Sequence, residues 1–268
     1  MNVLAINVGN SRTAAGWFSK GKIRRSARSE TASPVILEAV ANDEVPDGIV
    51  IGSVAPQRNK AWAQLVKKVF PKVPVLWMDP KLDFGIGVDL KRPDQTGHDR
   101  FADAVAAAEL CGAPCIACDF GTATTFNLVL PKRGFAGGVI APGYGMWFDA
   151  LARAAQLPKL KPGGIKLQTG RNTEEAMRLS ARWGYRGMVT EILWQLGKAC
   201  GKKEPCICAT GGFAKQILAD AGLKIPVFPD LALHGLPQRI AEGEVAAAAL
   251  LVGAKLATAL IIASAMAG

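Results

Sequence analysis

The sequence predicts a mixed α/β protein with a duplicated ββ…αβα core, and three observations support this class. A short apolar run, a glycine turn and a second apolar run occur twice, at residues 2–18 and 115–130. Strand patterns alternate with amphipathic helix patterns along the rest of the chain. The 29 glycines and 16 prolines are spread out, which suits many short strand–loop–helix units. This order excludes an all-helical or all-β protein.

The first half divides into short elements separated by turn residues. Pro34 suits the first turn of a helix, because proline fixes the backbone angle that a helix needs there. Residues 79–97 lack periodicity, and a loop of that length often carries a function. Strands are predicted at residues 2–8, 14–18, 22–26, 48–53 and 73–77, and helices at residues 33–41, 56–70 and 100–110. Gly112, Ala113 and Pro114 break the chain, so we predict domains 1–112 and 113–268.

The second half repeats the pattern with longer helices. Asn172 is a good helix cap, and Glu175 three residues later completes a capping box. The helix that follows extends to about residue 200, either continuous or broken near Gly184. Strands are predicted at residues 115–130 (a hairpin), 137–142, 205–210 and 226–228, helices at 146–155 and after Gly212, and a loop at 157–169. The Ala-rich residues 244–268 predict a packed or interface helix, with a membrane anchor as the weaker alternative.

The two glycine hairpins are candidate phosphate-binding turns. Residues Ile6–Thr13 read I-N-V-G-N-S-R-T, and residues Cys118–Asn127 read C-D-F-G-T-A-T-T-F-N. Glycine lets the backbone approach a ligand closely, and hydroxyl and N–H groups in such a turn can bind phosphate oxygens. An acidic residue at the end of the first strand can hold a cation or its water. Two such hairpins predict two related domains on either side of a nucleotide's phosphate chain.

Composition narrows the classes of partner and the cellular compartment. The formal charge of +10 is compatible with nucleic acid, a membrane surface or small anionic ligands. The basic residues are scattered and lack interleaved aromatic residues, so no specific nucleic-acid binding is expected. The six cysteines have no nearby histidines, which favours buried free thiols in a reducing cytosol over zinc or disulfides. The chain begins in a strand without a basic segment, so no signal peptide is expected.

Several motifs, taken in order, resemble the type III pantothenate kinases of the acetate/sugar kinase–Hsp70–actin fold group. The first turn is similar to the family's D-x-G-N-T turn, and T-G-H-D-R at Thr96–Arg100 is similar to its G-A-D-R motif. The others are D-F-G-T-A-T-T at Asp119–Thr125, G-G-V-I-A-P-G at Gly137–Gly143, N-T-E-E-A at Asn172–Ala176, T-G-G at Thr210–Gly212 and D-L-A-L-H-G-L at Asp230–Leu236.

The resemblance implies two ribonuclease-H-like (actin-like ATPase) domains with an interdomain cleft. It also implies a reaction, the transfer of the γ-phosphoryl group of ATP to the terminal hydroxyl of pantothenate, the first step toward coenzyme A. The resemblance also implies a cytoplasmic homodimer that uses Mg²⁺ with ATP and a monovalent cation (K⁺ or NH₄⁺).

The resemblance further implies roles for individual residues. Asp99 would be the general base, and Asp119 would hold the monovalent cation. The substrate pocket would be formed by Gly97, His98, Arg100 and Thr173, and ATP would contact Asn7, Gly9, Asn10, Ser11, Thr13, Gly121 and Thr122. Each role has a structural alternative: Asp99 and Asp119 as caps, Arg100 in a surface ion pair, Thr173 in the helix cap, and His98 as an exposed loop imidazole.

The sequence departs from the family pattern at three places, and these departures leave two functional hypotheses open. Asn7 replaces the family's Asp in the first turn, which keeps an acceptor oxygen but loses the negative charge. Leu90 lies where the family often has Tyr, and Leu179–Ala181 replace the family's S-G. The main hypothesis is an active pantothenate kinase, and the alternative is a weakened paralogue that acts by binding nucleotide or a pantothenate-like ligand. A third hypothesis, a nucleic-acid-associated regulator, has only the net charge in its favour.

Overall fold

The chain was analysed as a computed structural model, which describes residues 1–79, 81–82, 84–154 and 157–236. The strands are β1 (Asn2–Val8), β2 (Thr13–Ser19), β3 (Lys22–Ser29), β4 (Gly48–Ser53), β5 (Val75–Trp77), β6 (Cys115–Phe120), β7 (Ala123–Leu130), β8 (Gly134–Pro142) and β9 (Cys206–Thr210). The helices are α1 (Pro34–Ala41), α2 (Pro56–Val69), α3 (His98–Cys111), α4 (Tyr144–Ala154), α5 (Thr173–Ala199), α6 (Ala214–Ala221) and α7 (Leu231–Gly235). The predicted helix over the Ala-rich residues 244–268 lies outside the described residues.

Two sheets with the same connectivity confirm the predicted duplication. The first has the strand order β3-β2-β1-β4-β5, and the second has the order β8-β7-β6-β9. In each, three consecutive strands form an antiparallel meander, and a later strand adds parallel to the first of them. Where the first sheet has β5, the second sheet has a single parallel bridge between Ala209 and Val227. The predicted strand 226–228 is therefore reduced to that bridge.

The chain divides into two compact units. The first contains residues 1–85, 94–102 and the described residues from 232 onward, and the second contains residues 86–93 and 103–231. In the first unit, α1 and α2 bury Leu37 and Trp62 in a core with β1, β2 and β4. In the second unit, α4, α5 and α6 cover the sheet around Phe126 and Tyr185. The boundary expected after residue 112 stays a prediction.

Helix α5 is continuous, so the alternative of a break near Gly184 is wrong. A Cβ atom at Gly184 would lie 2.6 Å from the Trp147 ring of α4, so this glycine allows two helices to pack closely. The Asn172 side chain accepts a hydrogen bond from the Glu175 N–H (2.9 Å), as predicted. The Glu175 carboxylate, however, accepts from the Arg171 N–H rather than from the cap residue. Among the described helices, none is both long and apolar enough to span a membrane.

Candidate functional site

The first hairpin turn lies between β1 and β2, and its tip faces solvent. The Gly9 N–H donates to the Arg12 carbonyl (2.9 Å), so this N–H closes the turn and is already used. A Cβ atom at Gly9 would lie 2.7 Å from the Arg12 oxygen, which explains the glycine. Asn10 and Ser11 are exposed at the tip. Of the predicted phosphate contacts in this turn, these two offer accessible side chains.

Asn7 and Thr13 flank the turn with different accessibility. Asn7 is partly buried near the end of β1, between Ala14 of β2 and Gly52 of β4. Thr13 is fully buried, and its hydroxyl has no hydrogen-bond partner among the residues that the structure describes. A ligand therefore cannot touch the Thr13 side chain unless the turn moves. The predicted contact of Thr13 with ATP would have to be made by its backbone. That contact stays a prediction.

The G-H-D-R motif opens α3 and is attached to the end of β4. His98 Nδ1 lies 2.8 Å from the Ser53 carbonyl oxygen, and the ring is partly buried. The alternative of an exposed loop imidazole is therefore wrong, because His98 is the first residue of the helix and anchors it. A Cβ atom at Gly97 would lie 2.6 Å from an Asp99 carboxylate oxygen. Gly97 thus leaves room for the Asp99 side chain to fold back over the start of the helix.

Burial controls the charge of Asp99. The side chain is partly buried, and one carboxylate oxygen accepts a hydrogen bond from the Arg100 N–H (2.8 Å). Burial raises the pKa of Asp99 above its ordinary value, and the Arg100 and His98 charges oppose this shift without cancelling it. A carboxylate with a raised pKa is a stronger base than an exposed one, which suits proton removal from an alcohol.

The same connections place the start of α3, which carries Asp99, beside the end of β1. Ser53 pairs with Val8 in the parallel β1–β4 ladder, and the Val54 N–H donates to the Val8 carbonyl (3.0 Å). Neighbouring strands lie about 4.8 Å apart. Because His98 is bonded to Ser53, the start of α3 lies beside the strand end that leads into the turn at Gly9. Sequence reasoning could not measure this proximity, since about 90 residues separate the two motifs.

The second hairpin turn, between β6 and β7, is enclosed by glycines. A Cβ atom at Gly211 would lie 2.5 Å from an Asp119 carboxylate oxygen, and one at Gly143 would lie 2.0 Å from the Thr122 carbonyl oxygen. The segment after β9 and the segment after β8 therefore both pack directly on this turn. Asp119 and Gly121 are partly buried, and Thr122 is exposed.

A tyrosine supports this hairpin from the core. Tyr185 of α5 is hydrogen-bonded to the Thr124 hydroxyl in β7, and both side chains are buried. Burial raises the pKa of Tyr185 to about 12, and the nearby Asp119 charge contributes to the rise. The tyrosine therefore remains a neutral hydrogen-bonding group at physiological pH and acts as a support.

The described residues suit a weakly held cation better than a dedicated metal cage. Within them, no three His, Cys, Asp or Glu side chains come together in a group that could hold a metal ion. In the second unit Asp119 supplies one carboxylate beside its turn, and in the first unit Asn7 separately supplies an amide oxygen. One or two acidic or amide ligands plus substrate phosphates are the usual partners of Mg²⁺. Each turn taken by itself thus offers one oxygen ligand, which suits Mg²⁺ that arrives with a phosphate ligand.

Two further residues are relevant to the site: Thr173, which the sequence predicted, and Arg58, which it did not. Thr173 is exposed as the first residue of α5. Sequence reasoning missed Arg58 of α2, which donates to the Gly9 carbonyl (2.9 Å) and to the Glu30 carbonyl. It holds the first turn and adds positive charge next to it. Nothing in the local sequence singles it out, because its partners are 49 and 28 residues away in the chain.

The fold and the paired glycine hairpins define an actin-like ATPase fold, and comparison with a solved structure agrees. The (R)-2-hydroxyglutaryl-CoA dehydratase component A of Acidaminococcus fermentans superposes with a TM-score of 0.52 at 12% identity. The match covers 88% of this chain and 95% of that chain. The predicted fold class is thereby confirmed.

Sequence comparison identifies the family within this fold. The type III pantothenate kinase family model matches residues 3–195. Type III pantothenate kinases from Bacillus cytotoxicus and Halalkalibacterium halodurans are 34% and 35% identical, each over 87% of this chain and over 94% and 96% of their own lengths. The chain belongs to the type III pantothenate kinase family, a family of phosphotransferases.

Proposed function

We propose that this protein transfers the γ-phosphoryl group of ATP to the terminal hydroxyl of pantothenate, giving 4′-phosphopantothenate. The position of Asp99 carries this proposal. Its carboxylate lies in the first turn of α3, with a raised pKa, beside the strand end that leads into the first turn. A kinase that phosphorylates an alcohol uses a base close to the acceptor hydroxyl.

Asp99 acts as the general base on the alcohol. A primary hydroxyl is a weak nucleophile, and a carboxylate within hydrogen-bonding distance accepts its proton as the oxygen attacks phosphorus. The hydrogen bond from the Arg100 N–H to one carboxylate oxygen restricts the orientation of the side chain and leaves the other oxygen to act on the substrate hydroxyl. Arg100 binds the substrate carboxylate through paired N–H groups, with Gly97 and His98 forming the wall of the same pocket.

In each hairpin, polar groups bind phosphate oxygens. Asn10 and Ser11 contact phosphate oxygens with their side chains, and Asn7, Gly9 and Thr13 shape the first turn. In the second hairpin, Thr122 donates its hydroxyl to phosphate, Gly121 keeps the backbone close, and Asp119 attracts K⁺ or NH₄⁺. Mg²⁺ is carried with ATP as part of the substrate and neutralises charge on the transferred group.

We also propose an assembly and a location for the enzyme, which the family resemblance motivates. Two copies form a homodimer, and the exposed Thr173 contacts the pantothenate of its own subunit or of its partner. The enzyme works in the cytoplasm, where ATP and pantothenate are available.

A coupled phosphotransfer assay tests the proposal directly. Purified protein should consume ATP only when pantothenate is present, and replacing K⁺ or NH₄⁺ with Na⁺ should lower the rate. ATP consumption that does not depend on pantothenate would refute the assigned acceptor. Nucleotide binding with no turnover in any of the three cations would favour the alternative, a paralogue that acts by binding, which the amide at Asn7 motivates.

Restoring the family's acid tests how much activity Asn7 costs. We expect Asn7→Asp to raise kcat about tenfold, because a carboxylate holds the Mg²⁺ water shell more strongly than an amide, and tenfold corresponds to about 1.4 kcal/mol. Steady-state kinetics at saturating ATP measure the change. Asn42→Asp is the control, since it adds the same charge at an exposed helix cap in a left-handed conformation that Asp tolerates. If both variants match the parent protein, the amide at Asn7 is no handicap.

A further inference from the structure

Three thiols meet in the second unit at the end opposite the phosphate turn. Cys111 ends α3, and its sulfur lies within hydrogen-bonding reach of the sulfurs of Cys206 and Cys208 on β9. Cys206 is exposed, Cys111 is partly exposed and Cys208 is buried. The sequence-based prediction of buried thiols therefore fails for Cys206, which begins its strand at the surface.

Backbone contacts fix this meeting independently of the sulfurs. The Cys206 N–H donates to the Pro114 carbonyl (3.1 Å), and Lys203 Nζ donates to the Ala113 carbonyl (3.0 Å). Cys206 also pairs with Cys115 in the parallel β6–β9 ladder. The residues that follow Cys111 are thus held against the residues that precede Cys206, although the two thiols are far apart in the chain.

The thiol pairs differ in how the backbone holds their two cysteines. Cys206 and Cys208 lie two apart on one strand, and Cys115 and Cys206 are direct neighbours in a ladder, so their backbones are constrained to the sheet. Cys111 comes from a helix end and approaches the sheet from outside it. Cys111 and Cys206 are therefore the pair in which one thiol is exposed and the other belongs to a separate element.

We propose that Cys111 and Cys206 are a site of reversible oxidation, at which a peroxide forms an intramolecular disulfide. The exposed Cys206 thiol reacts first, taking one oxygen from hydrogen peroxide to give a sulfenic acid and releasing water. The Cys111 sulfur then attacks the Cys206 sulfur, a second water leaves, and the S–S bond forms. Two thiols and one peroxide give one disulfide and two waters, and a dithiol reductant reverses the reaction.

The electrostatics set the speed of the second step. Burial raises the pKa of Cys111 to about 11, and the neighbouring Cys206 adds to the rise. The thiolate is the attacking species, so at neutral pH the closing step is slow.

Mass spectrometry of the full chain tests the site. The reduced protein is treated with hydrogen peroxide, blocked with N-ethylmaleimide and digested with trypsin without reductant. We expect peptides 101–132 and 204–215 to be joined, with a mass about 2 Da below the sum of the two peptides that carry N-ethylmaleimide on their other cysteines only. Fragmentation should place the bond between Cys111 and Cys206, and dithiothreitol should release it.

Three serine variants give the controls. Cys111→Ser and Cys206→Ser should each abolish the joined peptides. Cys200→Ser should leave them unchanged, because the Cys200 sulfur is engaged with the Leu196 carbonyl in its own helix (3.4 Å). A bond to another cysteine, a disulfide between two chains, or oxidation of Cys206 to sulfinic acid with no link would each overturn the proposal.

Discussion

Replacing Asp99 with Asn is expected to lower kcat by about 10²–10⁴-fold, the range for loss of a general base. Asn is close to Asp in shape and keeps an oxygen for the Arg100 N–H, so substrate binding should change little. The assay is steady-state kinetics with pantothenate and ATP varied separately, in which KM should stay within a few-fold of the parent value. A loss confined to KM would make Asp99 a binding residue.

The pH profile of the parent enzyme gives a second readout of the same group. A base must be deprotonated to act, so kcat/KM should fall as the pH drops through the pKa of Asp99. Because burial raises that pKa, the acidic limb should lie above about pH 4, the ordinary value for Asp. A limb at or below pH 4 would contradict the raised pKa.

The same substitution should raise thermal stability at neutral pH. A carboxyl group whose folded pKa is raised contributes stability below its unfolded pKa, and this contribution is lost as the pH rises through the folded value. Ionisation of Asp99 therefore destabilises the fold as the pH rises, and the neutral Asn side chain removes this penalty. Thermal unfolding at pH 4 and pH 7 should show Asp99→Asn gaining Tm relative to the parent as the pH rises.

Stability also distinguishes catalysis from simple helix capping. If Asp99 only satisfied the dipole of α3, Asn would cost about 0.3–1 kcal/mol and lower Tm. Asp43→Asn is the matched control, because Asp43 is exposed and has a left-handed backbone that Asn adopts readily. It should leave kcat unchanged.

The sequence predicted most of the local elements, since they depend on patterns within a few residues. Ser33 caps α1 ahead of Pro34, and the strand 48–53 has the predicted bounds. Both hairpins formed where glycine separates two apolar runs. The duplication itself was visible because the same turn chemistry recurs in both halves.

What the sequence did not predict depends on contacts between distant segments. Gly184 suggested a helix break when considered alone, but the Trp147 ring packed against it explains the glycine. Arg58 and His98 act through carbonyl groups that any residue could supply, so their partners leave no mark in the sequence. The pKa of Asp99 depends on burial by the fold, and local composition does not determine burial.

Gly211→Ala is expected to disrupt the second phosphate turn. Gly211 has φ +97°, a backbone conformation unfavourable for alanine, and its Cβ atom would lie 2.4 Å from the Phe120 carbonyl carbon and 2.5 Å from an Asp119 oxygen. A strained backbone of this kind costs about 1–3 kcal/mol. Each kcal/mol lowers Tm by about 2–4 °C in a protein of this size, so thermal unfolding should show a loss of about 2–12 °C.

Nucleotide binding should fall with the turn, by about tenfold or more, because the added methyl group displaces Asp119, and tenfold corresponds to about 1.4 kcal/mol. Calorimetry with a non-hydrolysable ATP analogue measures this affinity below the Tm of the variant. Gly212→Ala is the adjacent control: its Cβ atom would have no neighbour within 4 Å, and its φ lies outside the left-handed region. Equal Tm and equal affinity for the two alanine variants would show that close packing on Asp119 does not shape the turn. A lower Tm with unchanged affinity would confine Gly211 to a structural role and remove Asp119 from the nucleotide site.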